Sequence, residues 1–153
     1  ITMKLCGVIG GRTTMVQGGA AVLHCKLIGT TETLTQISWR RLTRGKPRTD
    51  NFYTISSDGP NYINGHDDRF RFIGSFTDKN GTLQLSNVTL MDEGTYTCVF
   101  TLFPSGIHET AIPLKVHGSK DDLCVCVYII HVLERVITHL ILSSCLLQLL
   151  LWK

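Results

Sequence analysis

Apolar and polar residues alternate two by two along most of this chain, the period of a β-strand with one buried face. Ala21, Leu23, Cys25 and Leu27 point one way, and His24 and Lys26 point the other. Val16 to Leu27 therefore reads as the first strands, turned at Gly18-Gly19. Ile37 and Trp39 face inward on the next strand while Gln36, Ser38 and Arg40 face outward. The glycine and proline of Thr43-Arg44-Gly45-Lys46-Pro47 mark a turn. Asn51–Ser56 is aromatic and β-branched, a strand, and Asp58-Gly59-Pro60 turns it toward a short one at Tyr62-Ile63. Arg69–Ile73 follows, and Asn80-Gly81 is the strongest hairpin signal, since both central positions of a type I′ turn need positive φ. Leu83 and Leu85 point inward on the strand after it, and Val88 closes their layer. Two long strands, about Gly94–Thr101 and Ile107–Val116, flank a loop at Phe103-Pro104-Ser105-Gly106. Pro113 has no N–H for a ladder, which suits an edge strand or a bulge.

Three features turn this list of strands into a fold. Cys25, Trp39 and the run Asp92-Glu93-Gly94-Thr95-Tyr96-Thr97-Cys98 carry the spacing of a disulfide across two facing sheets. An indole packs on that disulfide, and a tyrosine stands two residues before the second cysteine. The expectation is an all-β immunoglobulin sandwich, two antiparallel sheets in Greek-key order, with Cys25 bonded to Cys98. Trp39, Tyr96 and Leu85 lie in its core. The room between Trp39 and Arg69 admits an extra hairpin, which makes it the variable type, strands A to G with C′ and C″. Arg69 opens strand D and Asp92 precedes strand F, so a two-pronged guanidinium–carboxylate pair is expected between them.

The chain has 153 residues and a net charge of +3. That length allows one domain and a tail: a segment 1–15, the domain 16–117, a polar linker 118–122 and an apolar stretch 123–153. The charge is too small, and the aromatics too scattered, for a nucleic-acid surface. A disulfide places the domain in an oxidising compartment, outside the cell or in its secretory lumen. No leader pattern precedes Ile1, which fits a processed chain or a fragment. Cys6 has no evident partner and reads as an unpaired thiol on a loose amino-terminal stretch.

The stretch 123–153 admits three readings. Residues 136–152 could form a short membrane span with Glu134-Arg135 at one rim and Lys153 at the other, anchoring the domain at the cell surface. A glycolipid attachment signal matches the order of its small, polar and apolar parts poorly. The monotony of Cys124-Val125-Cys126-Val127-Tyr128 also fits translated non-coding sequence. Cys124, Cys126, His131 and His139 lack zinc-ligand spacing, and Cys145 has no partner in view.

At Leu34-Thr35-Gln36-Ile37-Ser38-Trp39 and Leu102-Phe103-Pro104-Ser105-Gly106 the chain resembles the membrane-distal variable domain of the nectin and poliovirus-receptor family of cell-adhesion molecules. The likeness covers about Val16 to Val116. It departs at Leu34, at Leu102, and at Phe52, where that family has alanine. The resemblance implies a cell-surface adhesion or recognition module. It would bind like or related immunoglobulin-superfamily domains in trans, homophilically or heterophilically, through the outer face of strands C, C′, C″, F and G. By that analogy Phe103, held by Pro104, Ser105 and Gly106, inserts into a pocket on the partner, and Thr35, Gln36 and Ser38 line the receiving wall. An immune co-signalling receptor or ligand, or a secreted decoy, would use the same domain. A rearranged antigen receptor is disfavoured, because Ile107–Val116 has no Phe-Gly-x-Gly signature.

Asn80-Gly81-Thr82 and Asn87-Val88-Thr89 are glycosylation sequons, and at least one is expected to carry sugar on the side away from the binding face. Arg40, Arg41, Arg44, Lys46 and Arg48 form a basic cluster, either a solvated turn or a means of steering an acidic partner. Enzyme chemistry, a cofactor and a small-molecule substrate find no support. The histidines stand beside no nucleophile motif, Asp67-Asp68 lacks the other oxygen ligands of a calcium site, and Gly7-Val8-Ile9-Gly10-Gly11 lacks the strand and helix of a phosphate loop.

Overall fold

Among the described residues eleven strands form, in the order β1 (Gly7–Gly10), β2 (Thr13–Val16), β3 (Ala21–Leu23), β4 (Cys25–Ile28), β5 (Thr33–Thr43), β6 (Asp50–Ser56), β7 (Gly59–Tyr62), β8 (Phe70–Phe72), β9 (Leu83–Leu85), β10 (Gly94–Phe103) and β11 (Gly106–His117). A one-turn 3-10 helix, Leu90–Asp92, leads into β10, and a helix α1 spans Lys120–Leu150. The computed structural model describes residues 6–118 and the backbone of 120–150, with the side chains of 128–144. The chain divides into two units, Ile1–His117 and Gly118–Lys153.

One layer of the first unit is the six-stranded sheet β2-β11-β10-β5-β6-β7. The other is built from β3-β9-β8 and β1-β4. These two parts are joined because β3 and β4 are one strand broken at His24, and because Lys26 bridges Asn80 just before β9. The inward residues of both layers form one core: Leu23, Ile37, Trp39, Phe70, Leu85, Tyr96, Phe100 and Ile112 are all fully buried. The Cys25–Cys98 disulfide crosses it with 6.5 Å between the Cα atoms. Trp39 Nε1 donates to the carbonyl of Gly81 at 2.9 Å, which satisfies the polar edge of the indole.

Several local expectations give way. The sandwich begins at Gly7 and not at Val16: β1 pairs with β4 in one layer, and β2 pairs parallel with β11 in the other. The glycine run that lacked a phosphate-loop context is β1 itself, and its end at Gly10-Gly11 opens the crossing between layers. A Cβ on Gly10 would stand 2.9 Å from side-chain atoms of Thr110 and Ile112. Cys6 is half-buried against the core and not on a loose stretch.

The hairpin before β9 turns through Phe76–Lys79, with Lys79 at φ 54°, and Asn80-Gly81 lies past it. Gly81 serves another purpose there. An added Cβ would stand 2.9 Å from Ile37 Cγ2 and 3.4 Å from the Cys98 sulfur, so only glycine lets the backbone reach the indole. Pro113 lies in a strand paired on both sides, one residue before its pairing with β2 begins at Leu114. Gly59 and Pro60 belong to β7, an outermost strand, where a missing N–H is tolerated.

In the second unit the polar run 118–122 is helical from Lys120 onward. Among the described residues no helix is long and apolar enough to cross a membrane. The candidate span 136–152 runs beyond the described side chains, as do Cys124, Cys126 and Cys145.

Candidate recognition face

The outer side of the six-stranded sheet is read off its register. Val99 faces Ser38 on β5 and Glu109 on β11, and Ser38 faces Thr54 on β6. Thr101 faces Gln36 and Ile107 in the row above, and Thr97 faces Arg40 and Ala111 in the row below. Small hydroxyls therefore pave the middle of the sheet. Gln36 Nε2 donates to Ser38 Oγ at 2.8 Å, so these two residues satisfy one another across the face. Thr35 stands out of this pattern. The register slips between Thr101 and Leu102, which leaves Thr35 as the extra residue of a bulge, and its hydroxyl donates to the Thr101 carbonyl at 2.9 Å.

At the upper end β10 and β11 meet in a two-residue turn, Pro104-Ser105, after a cis Phe103–Pro104 bond and before Gly106 at φ 94°. Phe103 lies beyond the last β10–β11 pair, Leu102 with Gly106, pairs with Thr33 on β5 as the last residue of β10, and is 71% exposed. Ile107 is 66% exposed, two positions away diagonally on the same side. Ile107 shares the parity of Glu109 and Lys115 and not that of the buried Ile112, Leu114 and Val116, which puts it on the outer side although it is apolar.

The hairpin is tied down from behind. Ser105 Oγ donates to the Glu32 carboxylate and lies 3.0 Å from His108 Nε2. The sulfur of Cys6 is 3.9 Å from the other nitrogen of that ring. Lys79 Nζ donates to the carbonyls of Thr30 and Glu32 at 2.9 and 3.0 Å, holding the β4–β5 connection that presents Glu32. Glu32 and Ser105 are 73 residues apart, so only the folded chain pairs them.

Of the basic cluster, little is available to a partner. Arg40 pairs with Glu109 across β10. Arg41 lies largely buried between Asp50 and Asp67, with its guanidinium 4.7 Å from the centre of the Phe52 ring. Arg44 pairs with Glu93. These three charges are neutralised within the chain, which leaves Lys46 and Arg48 in the exposed turn.

The lower end of β10 is a second polar assembly. Arg69 holds Asp92 with two bonds, 2.8 and 3.0 Å, and holds Asp67 with two more, both 3.0 Å. Thr89 adds its backbone N–H and hydroxyl to Asp92, at 2.8 and 3.0 Å. Burial pushes the Asp92 carboxyl up, but these donors outweigh it and the net shift is downward. Asp67 behaves alike, for the same reason. Tyr96 Oη donates to the Asp92 carbonyl at 2.9 Å, the corner bond of this fold, and burial raises its phenol well above the ordinary range. This assembly bridges strands and caps a turn; its groups are mutually satisfied.

Of the two sequons, Asn87 is exposed in the turn after β9, and Asn80 is half-buried beside β4. Among the described residues no cluster of three or more histidine, cysteine or acidic side chains is placed to hold a metal ion.

Over 111 residues the chain is 32% identical to mouse Nectin-2, covering 69% of this chain and 21% of that protein. It is 27% identical to the mouse T-cell immunoreceptor with Ig and ITIM domains over the same length, covering 39% of that protein. The chain thus spans well under half the length of either relative. Murine CRIg superposes with a TM-score of 0.60 at 16% identity, over 74% of this chain and 98% of that structure, a likeness of fold. The sequence model of the Immunoglobulin V-set domain matches residues 11–117, from the crossing between layers to the end of β11. With its disulfide, its buried indole, its tyrosine corner and that match, the chain belongs to the immunoglobulin V-set family.

Proposed function

We propose that this V-set domain is a cell-surface recognition module. It binds another immunoglobulin-type domain through the outer face of β5, β6, β7, β10 and β11. The observation that carries this reading is Phe103, 71% exposed at the tip of a hairpin that Glu32 and His108 hold in place. A large ring left in water on a rigid support gains from burial and loses little freedom on binding. Beside it lie Ile107 and a floor of Thr35, Gln36, Ser38 and Thr101. An apolar anchor over a hydroxyl-lined surface is the composition of an interface core and its rim. The similarity to Nectin-2 supports an adhesion partner. The similarity to a T-cell immunoreceptor supports a second reading, a co-signalling receptor or ligand that uses the same face.

The test is Phe103→Ala, measured against immobilised nectin-type ectodomains and against a second copy of the chain. Binding should weaken by about 2 kcal/mol or more, as central aromatics do, while the melting temperature stays within a degree or two. A large loss of stability with unchanged affinity would show Phe103 to be structural and the face idle.

A further inference from the structure

The two sequons sit in unlike surroundings, and the difference selects one of them. We propose that Asn87, and not Asn80, carries an N-linked glycan, and that its first sugar lies in the cleft between the β5–β6 turn and the turn after β9. This proposal rests on the disulfide, which places the folding chain in the secretory lumen, and not on the recognition reading above.

Asn87 is exposed in a turn, in a left-handed conformation at φ 49° that asparagine tolerates better than most residues. Its carbonyl is approached by Arg69 at 3.4 Å, but among the described residues its amide side chain has no hydrogen-bond partner, so a sugar displaces nothing. Asn80 is bridged to Lys26 on one side and Ser75 on the other. Its side-chain oxygen accepts from the backbone N–H and the hydroxyl of Thr82 at 3.1 and 2.5 Å, which fixes the amide plane. Thr82 itself is only 6% exposed, because Gly81 must pass beneath the indole. A sugar on Asn80 would therefore crowd the segment that closes the core.

The cleft beside Asn87 has a volume of about 370 Å³ and is lined in part by Thr43, Gly45, Lys46, Arg69 and Met91. Met91 is 60% exposed and brings an apolar side chain to the lining of this cleft. Lys46 lines the same cleft and supplies a charged donor. An acetylated amino sugar has an apolar ring face and a rim of hydroxyls, which matches that division. The cleft lies at the Gly94 end of β10, and Phe103 lies at the other, so the glycan leaves the hairpin tip free.

The reaction joins Asn87 Nδ2 to C1 of N-acetylglucosamine. The donor is a lipid-pyrophosphate oligosaccharide of the secretory membrane. The bond from C1 to the pyrophosphate oxygen breaks, the amide nitrogen loses one proton, and the lipid pyrophosphate leaves. In the folded chain the Thr89 hydroxyl is engaged by Asp92, so transfer precedes closure of this turn, and the surroundings of the two asparagines act afterwards, on which glycosylated chains can complete the fold.

The test uses the full chain secreted from eukaryotic cells. Amidase release of glycans in heavy-oxygen water converts a glycosylated asparagine to labelled aspartate, and peptide mapping locates it. Label is expected at Asn87 and not at Asn80. Asn87→Gln should migrate as the unglycosylated form, and Asn80→Gln should migrate as the parent. Thr89→Ser, which keeps both the sequon and the bond to Asp92, should retain the glycan. Hydroxyl-radical oxidation of Met91 should be several-fold slower in material trimmed to a single sugar than in fully deglycosylated material. A chain without sugar, or label at Asn80 alone or at both residues, overturns the choice of site. Equal oxidation of Met91 in the two forms overturns the placement of the sugar.

Discussion

Single residues carry this molecule where two chain segments must come unusually close. Gly81 is the sharpest instance, since its carbonyl receives the Trp39 N–H and a Cβ would collide with Ile37. Gly81→Ala should cost about 1–3 kcal/mol, the usual penalty for overfilling a packed core, read as a lower urea midpoint with an unchanged slope. Trp39→Ala should cost about 3–5 kcal/mol. The two positions were not equally legible. Trp39 announces itself by its distance from Cys25 and Cys98. Gly81 stood next to an asparagine and read as a turn, because the contact that needs glycine comes from a strand over forty residues earlier in the chain.

Among the elements, the turn between β9 and β10 is a charge-dependent device. Arg69 gathers Asp67 and Asp92, and both carboxyls sit below their ordinary value in the folded chain. The unfolded chain then takes up more protons as acid is added. The stabilisation is complete above the ordinary carboxylate range, near pH 4, and is lost as pH falls through the depressed folded values. Urea titrations at pH 7 and pH 3 should show the midpoint dropping, and the drop should be smaller in Asp92→Asn. At neutral pH that variant should already be weaker by about 1–3 kcal/mol, the worth of hydrogen bonds to a charged group. The β10–β11 hairpin is an element of another kind, anchored by Ser105 to Glu32. Ser105→Ala should weaken partner binding through a faster off-rate at an unchanged melting temperature, measured by surface plasmon resonance.

For the whole molecule, two layers and one staple were legible because alternation and the Cys-Trp-Tyr-Cys spacing are properties of sequence order. The details of the face were not. Outward residues follow from the pleat, but the neutralisation of Arg40, Arg41 and Arg44 depends on acids at positions 109, 50, 67 and 93 that only folding brings near. The basic cluster, which reads from sequence as either a solvated turn or a steering patch, is mostly paired within the fold, so raising ionic strength should change the association rate only modestly. Replacing both Cys25 and Cys98 by alanine should cost about 2–5 kcal/mol, seen in thermal denaturation of the non-reduced proteins.

The first strands hold a consequence of their own. Gly7–Gly10 zips onto β4, and Thr13–Val16 zips onto β11 after the chain has changed layers. Together they act as a clasp that covers the seams of β4 and β11 on that flank with short edge strands. A protein trimmed to start at Val16 would keep its staple and its indole, yet it would bare two rows of amides and carbonyls at once. Such seams recruit their like, and light scattering should find the trimmed form sticking to itself while the full chain stays dispersed.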